Sequence, residues 1–130
     1  MTNKFELYKC KICGNVIEIL VSGDGHPVCC GEEMERMEAK NDNQNSVGLT
    51  EKHSPIIEYD SDGNVNVAIY NHPMEDAHYI MFVQTISKDK NEAKIKYFYP
   101  NEKVQMSTDI NGDGISARSY CNIHGVYLNQ

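Results

Sequence analysis

Cys121 and His124 are the residues from which the chemistry of this chain can be built. They stand in Tyr120-Cys121-Asn122-Ile123-His124-Gly125, and Cys121 is the only cysteine beyond residue 30. A thiolate and an imidazole at that spacing can face one point if the backbone bends between them. Gly125 favours such a bend because glycine tolerates positive φ. Two side chains hold a transition metal only weakly, and the rest of the chain supplies more. His53 lies in Glu51-Lys52-His53, and His72 and His78 bracket Pro73-Met74-Glu75-Asp76-Ala77. A single loop histidine is usually an ordinary surface residue. Four histidines and a cysteine, all at turns or strand ends, point to one shared metal site.

The donor types select the metal. Structural zinc takes four ligands, and blue copper takes two histidines, one cysteine and a weak axial group. Four imidazoles and one thiolate suit a square pyramid on iron with a sixth position open. An axial thiolate pushes electron density toward that position, as in thiolate-ligated haem. Such a ferrous site can pass one electron to a small oxidant. Lys52 offers positive charge beside a ligand, which attracts an anion and favours charge build-up on bound oxygen. Glu51 is a carboxylate able to fill the sixth position of ferric iron. Elsewhere the same two residues would read as a solvated pair.

A second cluster lies near the N-terminus. Cys10-Lys11-Ile12-Cys13-Gly14 is a metal knuckle, and Cys29-Cys30 adds two more thiols. Four cysteines so arranged signal a tetrathiolate site. Two disulfides are the alternative, disfavoured by the close spacing and by the lack of a signal peptide. Zinc and iron both accept tetrahedral sulfur, so the cluster alone leaves the metal open. A segment this short buries little apolar surface, and the metal should carry much of its folding energy. His26 is read as a loop histidine, since the sulfurs already complete a tetrahedron.

These residues need elements to position them. Phe5–Lys9 and Val16–Val21 are strand candidates within a module spanning residues 1–38. Lys40-Asn41-Asp42-Asn43-Gln44-Asn45-Ser46-Val47-Gly48 is polar and reads as a linker or mobile loop. The domain of residues 39–130 follows. Its strand candidates are Ile56–Tyr59, Val65–Ile69, Tyr79–Ile86, Ala93–Tyr99, Val104–Ile110, Ile115–Cys121 and Val126–Leu128. About seven short strands with turns between them and no convincing helix predict an antiparallel sandwich. Asp109-Ile110-Asn111-Gly112-Asp113-Gly114 resembles the start of a calcium loop, but the required twelfth-position glutamate is Tyr120, so it reads as a hairpin turn.

Composition sets outer bounds. The chain has 130 residues and a formal charge of −7. An acidic surface without a basic stripe argues against nucleic acid and anionic membranes. No run approaches the ~20 apolar residues of a membrane span, and the N-terminus has no apolar signal core. A soluble, cytoplasmic protein is expected. An odd cysteine count in a reducing compartment reads as metal binding before disulfides.

Together these motifs resemble the desulfoferrodoxins, the two-iron superoxide reductases. Cys10-x-x-Cys13-Gly14 with Cys29-Cys30 looks like their desulforedoxin-type site. Glu51-Lys52-His53-x-Pro55, His72-Pro73-Met74 through His78-Tyr79-Ile80, and Cys121-Asn122-x-His124-Gly125 look like their catalytic motifs. The resemblance implies a mainly β protein, with a desulforedoxin-like module followed by an immunoglobulin-like antiparallel β-sandwich, paired as a homodimer. It implies a ferric centre on Cys10, Cys13, Cys29 and Cys30. It also implies a catalytic iron with His53, His72, His78 and His124 equatorial and Cys121 axial. The reaction would be one-electron reduction of superoxide to hydrogen peroxide. Lys52 would attract superoxide, Glu51 would cap the ferric form, and a rubredoxin-like donor would restore Fe(II). The linker before Glu51 is unusually rich in asparagine, and the aromatic expected near Gly125 appears as Tyr127. A non-catalytic two-iron electron carrier, a zinc-stabilised interaction module and a dismutase are the competing readings.

Overall fold

The computed structural model describes residues 1–42, 52–110 and 113–129. It divides into two compact units, Met1–Glu38 and Ala39–Gln130. Among the described residues every regular element is a strand.

The first unit holds β1 (Leu7–Lys9), β2 (Val16–Glu18), β3 (Val28–Cys29), β4 (Glu32–Glu33) and β5 (Glu35–Met37). β1 is the centre of an antiparallel sheet ordered β2-β1-β5, pairing Leu7 with both Glu18 and Met37. The first strand is shorter than the sequence suggests because Phe5 has a φ of 73° and lies in a turn. β3 and β4 form a hairpin in which Cys29 pairs with Glu32. That leaves a two-residue loop, Cys30-Gly31, with φ of 53° and 77°. Positive φ at both central residues is the signature of a type I′ turn, whose twist matches that of the flanking strands. The core is small: Tyr8, Cys10 and Met34, flanked by Ile19 and Cys29. Two of those five residues are cysteines, which agrees with a module too small to rely on apolar burial alone.

The second unit holds β6 (Ile56–Tyr59), β7 (Val65–Ala68), β8 (Ile80–Ile86), β9 (Ala93–Tyr97), β10 (Gln105–Thr108), β11 (Ser116–Cys121) and β12 (Gly125–Leu128). They make two antiparallel sheets, β10-β7-β6 and β12-β11-β8-β9. Val65 and Val67 from one sheet, and Val83 and Ala117 from the other, join Ile69, Phe98, Val104 and Met106 in one buried cluster. The period-2 alternation of β7 and β11 selects that inner face. On the other face of the larger sheet, Phe82 stacks on Tyr120, with centroids 5.5 Å apart and planes 6° from parallel.

One irregularity bears on the site. Tyr120 pairs with Phe82, but Cys121 pairs with Ile80. Met81 is therefore an extra residue in β8, a β-bulge. It turns Ile80 to the same inner face as Val83 and Cys121, all three in the buried cluster.

The expected linker begins differently from its composition. Lys40 forms a parallel bridge with Tyr127: its N–H donates to Val126 O at 3.0 Å and its carbonyl accepts from Leu128 N at 2.6 Å. Asp42 is hydrogen-bonded to His53 and Ser54. The first three residues of the proposed linker thus belong to the fold of the second unit, and residues 43–48 lie outside the described residues.

Candidate metal centres

The first centre gathers Cys10, Cys13, Cys29 and Cys30, with sulfurs all within 4.8 Å of one another. No disulfide links them. Cys13 Sγ lies 3.5 Å from Cys29 Sγ, and Cys29 Sγ lies 3.9 Å from Cys30 Sγ. The Cys10–Cys13 knuckle closes with Gly14 N donating to Cys10 O at 3.0 Å, and it aims the Cys13 amide at Cys10 Sγ, 3.4 Å away. That amide holds the Cys10 thiol down to about 6. Cys29 is pushed up to about 12, first by its contact with Cys13. Thiols this close cannot all ionise without a cation among them, so the donor set fits a thiophilic metal such as iron or zinc. His26 plays no part: its Nε2 lies 2.9 Å from Met34 O and its ring meets Tyr8 edge-on.

The second centre is built by three turns and the edge of the bulge. His53 is 1% exposed and is held from every side. Its amide donates to Asp42 Oδ1 at 3.0 Å, and the Ser54 amide donates to Asp42 Oδ2 at 3.1 Å. Its carbonyl accepts from Ser119 Oγ at 2.6 Å, and its ring stacks on Tyr127 at 4.3 Å and 18°. Burial, then the nearby His72 and His124 rings, push its pKa down to about 4. The imidazole is therefore neutral at physiological pH, the form that binds metals.

His72 and His78 stand on a loop closed by the Glu75–His78 bridge. His72 Nδ1 lies 2.7 Å from Pro73 O, so Nδ1 carries the proton and Nε2 the lone pair. Orienting one ring nitrogen by a carbonyl is how metal-binding histidines are set. The buried Nε2 of His78 has no hydrogen-bond partner among the described residues. A polar atom left so in the interior is costly, and a metal would satisfy it. Asn122 ties this loop to the Cys121 turn: its Oδ1 accepts from Tyr79 N at 2.9 Å and its Nδ2 donates to Ala77 O at 3.1 Å. Gly125, with a φ of 85°, completes the bend anticipated from the sequence.

The four rings form a closed square. Centroids are 4.7 Å apart for His53–His72, 4.8 Å for His72–His78, 5.1 Å for His78–His124 and 4.9 Å for His124–His53. Neighbouring planes cross at 68° to 83°. His53 Nε2 and His124 Nδ1 are 3.0 Å apart, and Cys121 Sγ is 3.7 Å from that same Nδ1. The donor atoms of His53, His78, Cys121 and His124 all lie within 4.8 Å of one another. His72 is outside that mutual set and joins the square through its ring contacts. Four ring nitrogens and one thiolate sulfur, with the buried, unpartnered Nε2 of His78 among them, fit a five-ligand iron site. Lys52 is exposed next to buried His53, and Glu51 lies outside the described residues.

The desulfoferrodoxin model matches residues 45–130, and the desulfoferrodoxin N-terminal domain matches residues 2–37. The chain belongs to the desulfoferrodoxin family. It is 38% identical over 130 residues to a desulfoferrodoxin homolog of Archaeoglobus fulgidus, covering 98% of each chain. It is 38% identical over 126 residues to a desulfoferrodoxin of Nitratidesulfovibrio vulgaris, covering 96% of this chain and 95% of that one. Among solved structures, the superoxide reductase from Treponema pallidum shares the fold with a TM-score of 0.70 at 19% identity, covering 96% of this chain and 97% of that one. The two clusters match the two iron centres of this family.

Sequence reasoning missed four supports of the second centre. Ser119 falls two residues before Cys121, on the same strand face, and that parity was the available signal. Asn122 sits inside the ligand turn. Lys40 and Asp42 carried no local signal, because a polar, asparagine-rich stretch looks alike whether or not its side chains cap another loop.

Proposed function

We propose that this protein is a superoxide reductase, passing one electron to superoxide so that, with two protons, hydrogen peroxide is released. The observation that carries this reading is the closed square of four imidazoles with the Cys121 sulfur beside it. Family membership supports it, and the Treponema pallidum neighbour bears the name superoxide reductase. Iron bound at this centre would supply the electron.

His53, His72, His78, His124 and Cys121 would hold that iron. The neutral His53 ring keeps a lone pair ready for it. Lys52, exposed beside His53, would draw the anionic substrate from solvent, and Glu51 would cap the oxidised centre. Residues 39–130 would form the catalytic domain, and residues 1–38 a module whose tetrathiolate iron is chiefly structural. A rubredoxin-like carrier would return the electron. The setting we infer is a cytoplasmic homodimer that removes superoxide under oxidative stress.

The test is stoichiometric. Reduced protein mixed with superoxide should yield one peroxide per superoxide consumed, evolve no oxygen, and turn over only while a reductant is supplied. Oxygen evolution without a reductant would indicate a dismutase. Iron that exchanges electrons with a carrier but is not oxidised by superoxide would indicate an electron carrier. Zinc alone in both centres would end the reading.

A further inference from the structure

Lys40 stands outside the ligand set, yet it contacts two parts of it. Its backbone is fixed by the parallel bridge to Tyr127, so the root of its side chain is placed by the edge of the larger sheet. From there Nζ donates to the backbone carbonyl of His124 at 2.8 Å. The same ammonium lies 5.2 Å from the centroid of the Tyr127 ring, within cation–π range. Tyr127 in turn stacks on His53. One half-buried cation therefore touches the Cys121–His124 turn directly and backs His53 through one aromatic ring. Lys94 and Lys96 also reach carbonyls, those of Ser107 and Gln105, but from exposed positions.

We propose that Lys40 is a positioning residue for the four-histidine centre, holding the His124 turn and the Tyr127–His53 stack, and thereby setting how tightly that centre retains iron and at what potential. Two physical effects act together. A charge-assisted hydrogen bond to the His124 carbonyl is stronger than a neutral one and limits rotation of the turn that carries two ligands. A fixed positive charge near the metal disfavours the more positive oxidation state, and so raises the potential of the ferric–ferrous couple. Removing the charge should lower that potential. Removing the hold should loosen the metal by about tenfold, the lower end of the usual effect of losing a partner just outside a ligand set.

This inference rests on iron occupying the His and Cys set, and its test reads no superoxide chemistry. Full-length iron-loaded protein is compared with Lys40→Met and Lys40→Arg. Redox titration gives the potentials of both iron centres, and competition with a ferrous chelator gives retention at the His and Cys centre. Lys40→Met should lower the potential of that centre and weaken retention about tenfold, leaving the tetrathiolate potential unchanged. Lys40→Arg should restore both, since guanidinium keeps the charge and the donors. Should Lys40→Met fail to fold, Lys40→Gln retains a donor without the charge and carries the potential measurement. Potential and retention unchanged in the uncharged variant would overturn the proposal. So would equal weakening in Met and Arg with no shift in potential, the mark of a merely structural contact. A wild-type protein that holds no iron on those five residues would sink the functional reading as well. One that holds iron and makes peroxide, with an indifferent Lys40, would sink this inference alone.

Discussion

Ser119 Oγ donates to the carbonyl of His53 at 2.6 Å, joining residues 66 positions apart in a site where both are buried. The bond links the strand that carries Cys121 to the loop that carries His53. Replacing Ser119 by Ala leaves that carbonyl without this donor in the interior, at a cost of about 1–3 kcal/mol. The midpoint of denaturant unfolding should fall accordingly, and iron content with it. An unchanged midpoint would mean the bond contributes nothing net.

Asp42 should matter through geometry rather than charge. Its two oxygens take the amides of His53 and Ser54. Asp42→Ala should loosen the His53 loop and weaken ferrous iron retention by about tenfold or more, while Asp42→Asn, with one acceptor left, should fall between. Chelator competition on the reduced protein measures both.

Cys13→Ser removes one ligand of the tetrathiolate centre. The expected result is loss of that centre's visible spectrum with peroxide production retained. Loss of turnover despite an intact second iron would instead make the N-terminal centre part of the catalytic electron path.

Lys52→Ala should slow capture of superoxide by roughly tenfold at low salt, within the usual range of electrostatic steering. Iron content should stay the same. Raising the ionic strength should bring wild type and variant together, because an exposed charge is screened within a Debye length. Parallel salt curves would remove guidance by Lys52.

Acid stability should respond to the surface turns. Asp60 has its pKa lowered, chiefly by the Asn64 amide, and Asp89 has its pKa lowered, chiefly by the Ser87 hydroxyl. A carboxyl whose pKa is depressed by folding contributes stability above its unfolded value and loses it as pH falls through the folded one. Stability should therefore decline as pH drops below about 4, and Asp60→Asn should make that decline shallower. Denaturant midpoints measured down the acid limb provide the check.

Much of this was legible in the sequence because the ligands announce themselves. Cysteines and histidines are few, and their spacing marks each turn. The strands of the second unit followed from alternation, with ends adjusted by one or two residues where the chain leaves the ladder, as at Ile69 and Tyr99. What stayed hidden was tertiary. Nothing near Lys40 or Asp42 distinguishes a capping side chain from a solvated one until residues 53 and 124 are brought alongside. The Met81 bulge was also invisible, since an apolar run buried on both faces has no alternation to interrupt.

That bulge makes strand length a functional quantity. With Met81 deleted, β8 and β11 could run in perfect step, and local hydrogen bonding would improve. Yet, although Ile80 would still stand opposite Cys121, the strand would lose the carbonyl that accepts from Phe98 N and the bend that a bulge imposes, re-aiming the Tyr79 end and the His78 loop that precedes it. Evolution could exchange the side chain at this position far more freely than it could drop the residue.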